Sequence, residues 1–187
     1  MSSRFESAIK EYLWQIFQFS SQLWVHIAIF ETTLRETINR ALRTTYQRDD
    51  WWQIKGFLRK SEQQKVAFYS QSRSKTPLKG QNFVNKSTLG FWTALFTRNY
   101  HHRIWIQISE QIPNLKKTDR LDFLNKLKRI KNLRDAIAHH VPILDRNIPK
   151  DLDYLCELTN LLSPIMREET QTSSAKLKKR HHELTHS

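Results

Sequence analysis

Near the end of a lysine-rich segment the chain reads Arg134-Asp135-Ala136-Ile137-Ala138-His139-His140-Val141-Pro142-Ile143. Arginine carries a permanent charge on a planar fork that matches phosphate. Histidine moves protons near neutral pH. Together they supply what metal-free RNA cleavage needs. His139 would act as base or acid on the ribose 2′-hydroxyl or the 5′-leaving oxygen. Arg134 would neutralise charge growing on the phosphoryl oxygens. The products would be a 2′,3′-cyclic phosphate and a 5′-hydroxyl, with His140 as a candidate for the second proton transfer. Asp135 precedes His139 by four residues and shares its helical face, where a carboxylate could orient the imidazole. Lys131 precedes Asp135 by four and could pair with the same carboxylate.

Spacing poses a difficulty. Five residues rotate a helix by about 140°, so a straight helix points Arg134 and His139 apart. Either the helix bends or ends near His139, which Pro142 encourages, or a two-fold dimer sets one chain's Arg134 beside the other's His139. The plainer reading is that both residues satisfy the dipole and last carbonyls of a helix end.

The elements that must position this motif follow from composition and periodicity. The chain has 187 residues with 3 Gly and 5 Pro, a balance that favours an all-α protein over sheets. Lys and Arg number 31 against 18 Asp and Glu, a net charge of +13 that attracts polyanions such as nucleic acid. The single cysteine, Cys156, excludes an internal disulfide and points to a reducing cytoplasm. No secretory leader pattern is visible. Apolar stretches are broken by Gln, Glu and Arg well short of a membrane span, so no membrane association is expected.

About six helices are expected. Residues 4–19 place Ile9, Leu13, Ile16 and Phe17 at helical spacing. A second, longer helix is expected from Gln22 to Tyr46, with Leu23, Ile27, Phe30, Leu34, Ile38 and Leu42 inward. Asp49-Asp50-Trp51-Trp52 reads as a turn, with Trp51 and Trp52 the best exposed rings for stacking on bases. A polar helix over 61–72, capped by Ser61, precedes a loop at Thr76-Pro77-Leu78-Lys79-Gly80. Asn85–Arg98 reads as a short buried helix with Ser87 as its cap, and His102–Ile112 as an amphipathic one ended by Pro113. Thr118 or Asp119 caps a helix of about twenty residues with Leu121, Leu124, Leu127, Ile130, Leu133 and Ile137 inward. A last helix covers Asp151–Arg167, with Leu161 and Ile165 on its inner face. The expected organisation is one domain over 1–167 and a basic, flexible tail over 168–187.

Lys126, Lys128, Arg129, Lys131 and Arg134 would form a basic strip for the RNA backbone, or else a solvated face. His101-His102-Arg103 is a weaker phosphate candidate. His181, His182 and His186 lack carboxylate or thiolate partners, so neither a metal nor a cofactor is expected. The run from Lys176 to Arg180 could extend an RNA contact or bind an acidic antitoxin.

The stretch from Arg129 to Ile143 resembles the C-terminal motif of Abi-like (abortive infection) proteins of the HEPN superfamily. That motif is an Arg, a polar residue, three further positions and a His. Arg134, Asp135 and His139 match it in turn, and His140, Pro142 and Ile143 match its extension, while Val141 stands where relatives often carry Glu. Phe30 to Leu42 is similar to the family's early Glu-bearing helix. Leu89-Gly90-Phe91-Trp92-Thr93-Ala94-Leu95-Phe96, with Tyr100 and Trp105, is similar to its Gly-Phe-Trp segment. The resemblance spans roughly residues 10–165. It implies a compact helical bundle, a homodimer whose two motifs share one cleft, and metal-independent endoribonuclease activity on tRNA or mRNA in phage defence or toxin–antitoxin systems. It also implies that Glu31 lies near the cleft, to orient Arg134 or His139. Some members of the superfamily are inactive, so the alternative is a non-catalytic RNA- or nucleotide-binding module that partners an antitoxin.

Overall fold

A computed structural model describes residues 2–70 and 80–186. Among these residues the chain is all-α, with eight α-helices and no strand. They are α1 (Ser2–Tyr46), α2 (Lys60–Ser70), α3 (Gln81–Lys86), α4 (Leu89–Ala94), α5 (Ile106–Gln111), α6 (Arg120–Ala138), α7 (Ile148–Leu162) and α8 (Arg167–His186). Residues 71 and 72 of the expected polar helix, and Thr76 to Lys79 of the expected loop, lie outside the described residues. The chain divides into two compact units: Met1–Phe30 with Arg129–Ser187, and Glu31–Lys128. The boundaries fall inside α1 and α6.

In the first unit, Phe19, Leu23, Ile27 and Phe30 from α1 are buried, as are Ile130 and Leu133 from α6. Each such side chain contributes about 1.5–3 kcal/mol by leaving water. The expected break between two N-terminal helices does not occur. Ser20 and Ser21 stay helical and donate to the carbonyls of Ile16 and Phe17, each at 2.9 Å, instead of capping a new helix. The apolar stripe at the start of α1 is not buried: Ile9, Leu13 and Phe17 are 44%, 46% and 49% exposed.

Helix α7 starts three residues earlier than expected. Asn147 caps it by accepting from the Lys150 amide at 3.0 Å, and Pro149 sits in its first turn. It ends at Leu162, before a 3-10 turn over Pro164–Met166 that leaves Ile165 exposed rather than inward. The segment expected to be a flexible tail forms α8, packed on α7. Thr170, Ser174, Leu177 and Leu184 are buried at steps of four, three and seven, which is a helical stripe. The Cys156 thiol donates to the Thr170 carbonyl at 3.3 Å, and Lys178 pairs with Asp153.

The second unit is built around aromatic rings. Trp51 and Trp52, expected to be exposed, are buried. The Trp51 indole N–H donates to Asn39 Oδ1 at 3.0 Å, and Trp52 stacks on Phe83 with 3.9 Å between ring centres. Ser87 does not cap α4. Thr88 does, accepting from the Phe91 amide, while Ser87 accepts the Trp92 indole N–H at 2.8 Å. Residues His101–Trp105 form a π-helical turn ahead of α5. Asp119 caps α6 by accepting from the Asp122 amide at 2.8 Å. Along α6, Leu121 is exposed and Phe123 takes the buried place expected of it.

Candidate active site

The motif occupies the last turn of α6, in the first unit. The helix stays regular through Ala138, and the His139 amide still bonds to the Asp135 carbonyl at 3.0 Å. The chain then leaves by a paired closure. The His140 amide bonds to the Ile137 carbonyl at 3.1 Å and the Val141 amide to the Ala136 carbonyl at 2.9 Å. This is the Schellman pattern, and His140 holds its left-handed position at φ 56°, the place glycine favours. The turn therefore comes after His139. Helix α6 ends at Ala138, as Pro142 leads one to expect: Arg134 lies in its last turn and His139 is the cap residue just past it, about 140° further round on ideal helical geometry.

Asp135 accepts from Lys131, and from Arg134 at 3.4 Å. Its carboxylate serves these two cations rather than the His139 imidazole. Burial pushes the Asp135 carboxyl up in pKa. The Lys131 hydrogen bond and charge, with the charge of Arg134, outweigh that and hold it below the ordinary carboxylate value. Arg134 also lies over the Trp24 ring of α1, with 5.6 Å between its guanidinium carbon and the ring centre. Its fork is thus steadied from two directions. The His139 side chain is exposed to solvent.

Beside the motif lies an open cleft of about 420 Å³, lined by Phe17, Ser20, Ser21, Trp24, Ile137, Ala138 and His140. The Phe17 and His140 rings meet edge to face at 6.4 Å. The sequence signal for this cleft was the proximity of Ser20-Ser21 to Trp24, obscured by the assumption of a helix break there.

Arg129 binds Asp151 and donates to the Asn147 carbonyl at 3.3 Å. Arg146 donates to the same Asp151 at 2.6 Å and to the Arg129 carbonyl at 3.0 Å. This knot ties the last turns of α6 to the start of α7. It was missed in the sequence, where Arg129 stands out only as a basic residue. In the second unit, Lys126 pairs with Asp122 at 2.7 Å, Lys128 is exposed, and Glu31 is buried and paired with Arg35. Among the described residues, no group of three or more His, Cys, Asp or Glu is placed to hold a metal ion. No helix among them is long and apolar enough to cross a membrane. No family model matches the chain, and no curated protein or solved structure is significantly similar to it.

Proposed function

We propose that the protein is a metal-independent endoribonuclease in which Arg134 of one chain and His139 of a second chain act on the same phosphodiester. His139 removes the 2′-hydroxyl proton as that oxygen attacks phosphorus. Arg134 stabilises the charge on the phosphoryl oxygens. The 5′-oxygen leaves with a proton from a second imidazole, His140, giving a 2′,3′-cyclic phosphate and a 5′-hydroxyl. Asp135 and Lys131 position the Arg134 fork.

The observation that carries this reading is the end of α6, where an arginine held by Asp135 and Trp24 in the last turn is followed, just past the helix, by a solvent-facing histidine. Such a pair is chemically complete only when two helix ends face each other. Three further points support it. The resemblance of residues 129–143 to Abi-like proteins implies a shared cleft. The net charge of +13 suits a polyanionic substrate. Exposed Ile9 and Leu13 offer an apolar face of the kind a second copy buries. The substrate class is RNA, with tRNA or mRNA as targets, in a toxin or phage-defence setting. The purified protein is expected to cut RNA in EDTA and leave 5′-hydroxyl ends. Arg134→Ala and His139→Ala should each abolish cutting with helical content intact. Undiminished cutting by both variants would refute the assignment.

One observation favours a second reading, a non-catalytic RNA- or nucleotide-binding module that partners an antitoxin. The Asp135 carboxylate already neutralises part of the Arg134 charge. Tight RNA binding without cleavage by the wild type would select this reading.

A further inference from the structure

We infer that the cleft beside Arg134 is a nucleobase subsite, formed by Trp24 with Phe17 and His140, that holds one base of the bound RNA strand. The inference rests on reading the surface around Arg134 as an RNA site, but not on catalysis there.

The lining is that of a base pocket: an open concavity of about 420 Å³ with three rings, two hydroxyls and an otherwise apolar wall. Trp24 is 38% exposed, so its ring is available to stack. The same ring carries the Arg134 guanidinium at 5.6 Å. A cation that binds phosphate and a ring that binds bases are thus adjacent, as they must be when successive parts of one nucleotide are gripped. Charge complementarity selects the occupant. An apolar cleft whose Trp24 wall carries Arg134, in a chain of net charge +13, fits a flat ring tethered to a phosphate better than an apolar peptide.

The hydroxyls add a preference. Ser20 and Ser21 both spend their protons on backbone carbonyls, at 2.9 Å each. Their oxygens face a guest as acceptors only. A base with an exocyclic amine, such as cytosine, can donate a proton to each of them, whereas uracil has only its single N3–H to give.

The test uses uncleavable strands, so that binding is read whether or not the protein is a nuclease. The probes are 2′-O-methyl RNA oligomers of cytosine and of uracil, and an abasic strand of equal length. The wild type is expected to bind the cytosine strand more tightly than the uracil strand, and both more tightly than the abasic one. Trp24→Leu should weaken base-containing strands roughly tenfold while abasic binding stays put. Trp24→Phe should restore most of the loss. Ser21→Leu, at an exposed position, should fill the cleft and weaken the same strands without removing the ring. Phe68→Leu, at an exposed ring in the second unit, is the control and should change nothing. Equal wild-type affinity for base-containing and abasic strands would overturn the subsite, as would unchanged binding by both Trp24→Leu and Ser21→Leu. A preference for uracil would overturn the role given to the two hydroxyls. If sedimentation shows that Trp24→Leu and Ser21→Leu change the oligomeric state, the cleft belongs to a second copy and the inference fails. Base-dependent binding by a wild type that cuts no RNA would refute the nuclease and leave the subsite standing.

Discussion

Asp151→Ala removes the group on which the end of α6 is tied to α7. The Asp151 carboxylate is fully buried and accepts from the Nε atoms of Arg129 and Arg146. Each charge-assisted bond of this kind is worth about 1.5–3 kcal/mol, so the pair sets an upper range of about 3–6 kcal/mol. Two effects lower it. The arginine side chains are 33% and 26% exposed and can rehydrate. Both also keep backbone acceptors, the carbonyls of Asn147 and Arg129. The expected loss is about 3 kcal/mol, at the lower edge for breaking a buried ion pair. With a urea dependence of about 2 kcal/mol/M, the unfolding midpoint followed by circular dichroism should fall by roughly 1.5 M. The triple replacement Arg129→Met, Asp151→Leu, Arg146→Met should recover much of this, because it strands no charge. A loss under about 1 kcal/mol for Asp151→Ala, or a triple variant less stable than Asp151→Ala, would refute the reasoning.

Three more outcomes are expected. His140→Gly relieves a left-handed residue that costs about 1–2 kcal/mol, against roughly 0.4–1 kcal/mol of added freedom in the unfolded chain. The net is a gain of up to about 1.6 kcal/mol and a higher thermal midpoint, whereas a β-branched His140→Val should lower it. Burial pushes the Tyr100 hydroxyl up to about 12, and its bond to Glu62 at 2.7 Å acts in the same direction. A raised folded value means that this stabilisation is full below pH 10 and is lost as pH rises through 12. Stability should therefore fall between pH 10 and 12, and Tyr100→Phe should flatten that limb of the pH curve. Leu13→Glu places a charge in the exposed stripe of α1 and should shift sedimentation from dimer to monomer without loss of helix.

Periodicity revealed most of the α-helical pattern because the strongest stripes are strongly apolar. Leu23, Ile27, Phe30, Leu34, Ile38 and Leu42 are all buried as their spacing predicts. Reading failed where a stripe is built from small or polar residues. In α8 the inner positions include Thr170 and Ser174, whose burial depends on hydrogen bonds such as Thr170 Oγ1 to the Met166 carbonyl at 2.7 Å. Hydropathy registers such positions as tail. Serine caused the opposite error at Ser20-Ser21, where the side chains bond back along the helix instead of capping one. Trp51 and Trp52 followed two aspartates and looked exposed, yet partners distant in sequence, Asn39 and Phe83, bury them. At the motif, the Lys131–Asp135 pair was legible from its four-residue spacing. The Trp24–Arg134 contact and the Arg129–Asp151 pair join residues 110 and 22 positions apart, and no local pattern announces them.

The orientation of Arg134 and His139 leads to a quantitative test of the two-chain site. If each site takes Arg134 from one chain and His139 from the other, Arg134→Ala and His139→Ala dimers are both dead. A mixed dimer is different. One of its two sites lacks both groups, while the other pairs the intact Arg134 of the His139→Ala chain with the intact His139 of the Arg134→Ala chain. Random assortment of equal amounts makes half of all dimers mixed, and each carries one working site of two, so activity should return to about a quarter of wild type. If both groups acted within one chain, every site in the mixture would lack one of them and activity would stay at the level of the single variants. Refolding the two inactive proteins together, beside each refolded alone, separates these outcomes. Adding Leu13→Glu to both chains should erase the recovery if the α1 stripe holds the dimer together. A mixture that stays inactive while sedimentation shows mixed dimers would refute the shared site.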